Sequence, residues 1–181
     1  MKVKIMFLLS LLCSITSFAS CNSANGKAIK YSIQPDSCVY SKLGKTMSEM
    51  LFNPSKVTCY TIQGKSTVEK DDYELEPHYV RDSLIAKLSV SQINILHFNV
   101  LSAEENYKED TIKVRSPYLP CIEFCFEKKK MEPVHVIVSL SDFSWTIVYD
   151  DKKQGNWNYA DKRLMERYCK MILGDIYKKV R

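Results

Sequence analysis

The chain has 181 residues, 45% of them hydrophobic and 26% charged, with a formal net charge of +5. That length suits one domain with a sizeable core. Its two basic runs, Glu127–Lys130 and Lys178–Arg181, carry no interleaved stacking aromatics, which argues for solvated surface and against a nucleic-acid partner.

In chain order, residues 1–20 divide into the parts of an export signal. Lys2 and Lys4 form a positive start, Ile5–Ile15 is apolar, and the small residues Ser17, Ala19 and Ser20 follow. The apolar stretch suits a signal peptide and is short for a bilayer span, and no later segment reads as a transmembrane helix. Phe18-Ala19-Ser20-Cys21 resembles a lipobox, with Phe18 where an aliphatic residue is usual. We read Cys21 as a lipidation site, followed by a polar spacer over 21–27 and a single domain over 28–181. The alternative is an ordinary cut after Ala19, which would release a secreted chain. Several acyl chains on one cysteine give stable attachment where one does not, so a lipidated Cys21 implies the membrane as a partner. Loss of Lys2 and Lys4 lowers the net charge to +3.

Beyond the spacer, residues 30–34 alternate up to Pro35 and predict a strand. Leu43, Met47, Met50 and Leu51 recur at helical spacing, predicting a helix over 39–52 that ends before Asn53-Pro54. Val57–Ile62 is rich in β-formers, and Lys65–Asp72 reads as a loop. Tyr73–Asp82 reads as extended, with Pro77 confining it to an edge or bulge. Ser89 or Ser91 can cap a helix carrying Ile93, Leu96, Val100 and Leu101, and 102–110 reads as an acidic connector. Three strands follow: 121–126, 134–140 and 145–149. Asn158 is the expected cap of a long C-terminal helix, with Asp161 at its third position and a stripe of Leu164, Met165, Tyr168, Cys169, Ile172 and Ile176. Short turns between consecutive strands imply antiparallel pairing. The expected fold is α+β: a twisted, mainly antiparallel sheet with two or three helices on one face, the C-terminal helix among them.

Candidate sites are sparse. His135, Ser139 and Asp142 invite a hydrolase reading, but His135 and Ser139 on one strand stand roughly 13 Å apart at about 3.3 Å per residue. That is beyond the reach a nucleophile and its base need. Cys121 and Cys125 share the same spacing, too long for a disulfide between them, and with Glu123 they read as one half-buried sheet face. His78, His97 and His135 form no zinc-spaced motif, so a metal site would have to assemble in three dimensions. Asp150–Asn156 mimics a calcium loop but places Lys152 where an oxygen ligand is needed. Trp145, Tyr149, Asn156, Trp157 and Tyr159 bracket that turn and are candidates for a ligand rim, against the alternative that they pack under the adjoining helix. No catalytic residue and no cofactor is assigned.

The leader, the cysteine at its end and the short spacer resemble those of small uncharacterised bacterial lipoproteins, and the Ser116–Asp151 block has the general look of exported proteins of this size. The resemblance implies an address in the bacterial cell envelope and supplies no activity. The expected function is an extracytoplasmic, non-catalytic domain that binds an envelope protein, peptide or glycan. The rivals are an exported hydrolase-like enzyme assembled from distant histidines and acids, and a structural component of the envelope. The sequence leaves the oligomeric state open.

Overall fold

A computed structural model describes residues 33–64, 79–109, 120–150 and 152–180. The leader, Cys21, the spacer, the greater part of the expected 30–34 strand, the 65–72 loop and His78 lie outside the described residues.

Helix α1, Ser37–Phe52, starts where the Asp36 carboxylate accepts the Val39 N–H at 2.8 Å. Gly44 interrupts it at φ 72°, a backbone region that L side chains rarely adopt. On both sides of that break Val39, Leu43, Met47, Met50 and Leu51 turn inward. Strand β1 is Lys56–Gly64 and β2 is Tyr79–Lys87. The edge position expected near Pro77 therefore falls on a strand that begins two residues after it. Helix α2, Val90–Leu96, is capped by Ser89 in a reciprocal box with Gln92. It passes into a π-helical turn, His97–Leu101, then a 3-10 turn, Glu104–Tyr107, and the two-residue strand β3, Lys108–Glu109.

The remaining strands are β4 (Ile122–Glu127), β5 (Val134–Val138), β6 (Ser144–Tyr149) and β7 (Lys152–Asn158). Sheet order is β2-β1-β4-β5-β6-β7-β3, every neighbouring pair antiparallel. The α+β class is therefore as read from the sequence: six main strands, β3 as a short addition, and the helices packed into one core. Strand β7 replaces the polar turn expected after Tyr149. A two-residue connection with Asp150 at φ 52° returns the chain along β6, and Asn158 stays in the sheet opposite Ser144. Asp161 is consequently the N-cap of the C-terminal helix, accepting the Leu164 N–H at 3.0 Å, in place of Asn158. That helix, α3 (Lys162–Leu173), continues through a 3-10 turn at Gly174–Ile176 into α4 (Tyr177–Val180).

Alternation divides the sheet. Val57, Cys59, Phe124, Phe126, Val134, Val136, Val138, Trp145 and Ile147 join the apolar stripes of α1, α2 and α3 in one core. Within it the Trp157 indole lies where a Cβ on Gly155 would stand. Gly155→Ala is therefore expected to destabilise by about 1–3 kcal/mol through overpacking. Urea unfolding checks this, and a variant as stable as the parent would show that the indole does not rest on that backbone.

Candidate functional site

The same alternation sends Glu123, Cys125, His135 and Ile137 to the face opposite the helices. In the β4–β5 register Cys125 stands directly across from His135, and Glu123 lies two residues along from Cys125 on the same face. A fourth group arrives from the sheet edge. Arg81 of β2 crosses β1 by lying on the Tyr60 ring, 4.3 Å from its centroid, and Tyr60 is itself paired with Glu123.

The cluster centres on a carboxylate that is wholly buried. Arg81 Nε donates to Glu123 Oε2 at 2.8 Å and Arg81 Nη2 to Oε1 at 2.5 Å, a forked pairing. His135 Nδ1 lies 2.6 Å from the same Oε1 and 3.3 Å from Arg81 Nη2. An ionised carboxylate only accepts, so the short contact to Glu123 requires that Nδ1 hold the proton and donate it. Burial disfavours ionised Glu123, yet the bonds from Arg81 and His135 outweigh it and hold the carboxyl below its usual range. Burial likewise opposes a charged His135, but its contacts with Cys125 and Glu123 prevail and push its pKa up to about 9.

Cys125, His135 and Glu123 bring their ligand atoms within 4.8 Å of one another. Thiol, imidazole and carboxylate are the parts of an activated nucleophile, but Cys125 is only 3% exposed, and a nucleophile has to meet an external carbon. Holding an ion asks less of access and more of donor convergence, which this cluster supplies.

The other sequence candidates separate. The expected rim of Trp145, Tyr149, Asn156, Trp157 and Tyr159 is corrected: Trp145, Trp157 and Tyr159 are buried, and Tyr149 and Asn156 are half-buried. The indoles meet each other tilted and Tyr107 edge-on, with centroids 5.0–6.0 Å apart, so these rings are spent on the core. Asn156 accepts the Thr146 hydroxyl at 2.9 Å on the opposite face. His97 is a core residue, stacked on Phe52 and bonded through Nε2 to the Leu51 carbonyl at 2.7 Å, so it ties the end of α1 to the π-helical turn. Asp142 accepts the Ser144 hydroxyl at 2.9 Å, while His135 is engaged with Glu123. The five described cysteines, Cys38, Cys59, Cys121, Cys125 and Cys169, are all free thiols. Burial pushes Cys59 up to about 12.

Sequence reasoning placed Glu123 and Cys125 on one face but did not join His135 and Arg81 to them. No protein-family model, curated protein or solved structure matches the chain.

Proposed function

We propose that this chain is an exported, lipid-anchored and non-catalytic binding domain, tethered to the bacterial envelope through Cys21 and taking its ligand on the sheet face that carries Glu123, Cys125 and His135. The leader supports the address: a basic start, an apolar stretch and a cysteine after small residues. Among the described residues no helix is long and apolar enough to cross a membrane, so attachment in this reading rests on acyl chains at Cys21. The binding role rests on one observation, the convergence of three different ligand atoms, one of them from a carboxylate with no exposed surface. A buried charge so placed is functional more often than a solvated one.

Expression of the full chain in a bacterial host, with fractionation and intact mass, tests the address. The expected product is membrane-bound, begins at Cys21 and carries the mass of its acyl chains, whereas Cys21→Ser leaves the membrane fraction. Soluble, unprocessed chain inside the cells would overturn the reading.

A further inference from the structure

We propose that Glu123, Cys125 and His135 form a site for a divalent transition-metal ion, best matched by Zn2+, and that Arg81 is the group the ion displaces. This deepens the binding reading above and rests on it for the face concerned.

The donor set carries the first step. One imidazole nitrogen, one sulfur and one carboxylate oxygen come from adjacent positions on two paired strands, all within 4.8 Å. Tetrahedral zinc with bonds of about 2.0–2.3 Å places its donors roughly 3.3–3.8 Å apart. The His135–Glu123 separation of 2.6 Å is shorter than that range and the outer limit of 4.8 Å lies beyond it. Ion binding therefore requires side-chain rotation that opens the first separation and closes the widest one. Sulfur with imidazole selects a borderline or soft ion over Mg2+ or Ca2+, which want oxygen alone. Three protein ligands leave a fourth position for water or a further ligand.

Arg81 explains how the site stands without an ion. A buried carboxylate needs a cation, and the guanidinium meets both of its oxygens. Arg81 is nevertheless 43% exposed and sits on the edge strand β2, so it can swing toward solvent when a dication takes its place. Ion pairing alone gives no reason for a thiol directly across from His135. A metal ligand set does.

The test uses the mature protein, reduced and stripped with chelator, then titrated with Zn2+ against a chromophoric chelator and with Co2+ as a spectroscopic probe. The expected result is one equivalent bound, with a thiolate-to-cobalt charge-transfer band. Cys125→Ser should remove that band and weaken Zn2+ at least as much as loss of an outer-shell partner does, roughly 10–100-fold or more. Arg81→Ala should bind more tightly by several-fold, a gain that a damaged fold would not produce. Absence of binding, a band that survives Cys125→Ser, or weaker binding in Arg81→Ala would each overturn the proposal. These outcomes are independent of the acylation of Cys21, so failure of one reading is distinguishable from failure of the other.

Discussion

Glu123→Ala is expected to be among the most damaging single changes in this domain, lowering the unfolding free energy by about 3 kcal/mol in metal-free buffer. The loss has two sources. The carboxylate is wholly buried and is the acceptor for both Arg81 and His135. Without it, Arg81 Nη2 and His135 Nδ1 face each other at 3.3 Å with no anion between them. His135 relieves part of that repulsion by releasing its proton, since its raised pKa depends in part on Glu123. Arg81 relieves more by moving into solvent. These escapes keep the loss toward the lower end of what breaking a buried ion pair costs. For a chain of this length, about 3 kcal/mol corresponds to a fall in Tm of roughly 6–12 °C. Arg81→Ala, which removes a partly exposed partner, should cost less than Glu123→Ala. Urea denaturation of both variants orders them. A Glu123→Ala protein within about 0.5 kcal/mol of the parent, the range of ordinary surface substitutions, would show that the carboxylate is not buried as described.

Local pattern made much of this fold readable. Ile122, Phe124 and Phe126 alternate with Glu123 and Cys125, so strand identity and the facing of each side chain follow from period two. The C-terminal helix announces itself through a stripe on one side and Asp161 near its start. Strand β7 was not readable, because Lys152–Asn158 is polar throughout apart from Trp157 and has no alternation of apolar residues. It is a strand because β6 offers a free edge and the connection at Asp150 turns the chain back. The site was half readable. Laying strand 134–138 antiparallel against 122–127 sets Cys125 across from His135 once the register is known, and the connecting turn limits that register to few choices. Arg81 carried no such signal. It lies 42 residues before Glu123 and reaches it only because β1 and β2 form the outer part of the same sheet. Contacts set by sheet order are not written in any local window. The aromatic rim failed for a related reason. Tryptophans at strand positions 145 and 157 are compatible with an exposed surface or a core, and cross-strand pairing on the helical side decides for the core.

Trp145→Ala should be as costly as any core truncation here, about 3–5 kcal/mol. Trp145 is fully buried and its ring meets Tyr107 and Trp157 edge-on or tilted. Its Nε1–H donates to the Asn106 carbonyl at 2.7 Å. Asn106 in turn donates its side-chain amide to the Val100 carbonyl and accepts the Ala160 N–H, while the Tyr107 hydroxyl donates to the Leu101 carbonyl. One indole thus anchors the 3-10 turn to β6, and through Asn106 to the start of the C-terminal helix. Truncation leaves a large void and an unsatisfied buried carbonyl, two losses that add. Trp145→Phe separates them: it keeps much of the ring contact and loses the hydrogen bond, for an expected cost of about 1–3 kcal/mol. Denaturant unfolding followed by the fluorescence of Trp157 measures both. Hydrogen exchange at Ala160 should rise in the alanine variant, because its acceptor Asn106 loses its anchor. If Trp145→Ala were near neutral and solvent quenchers reached the indole in the parent protein, the core assignment of this aromatic cluster would fall and the ligand rim would return.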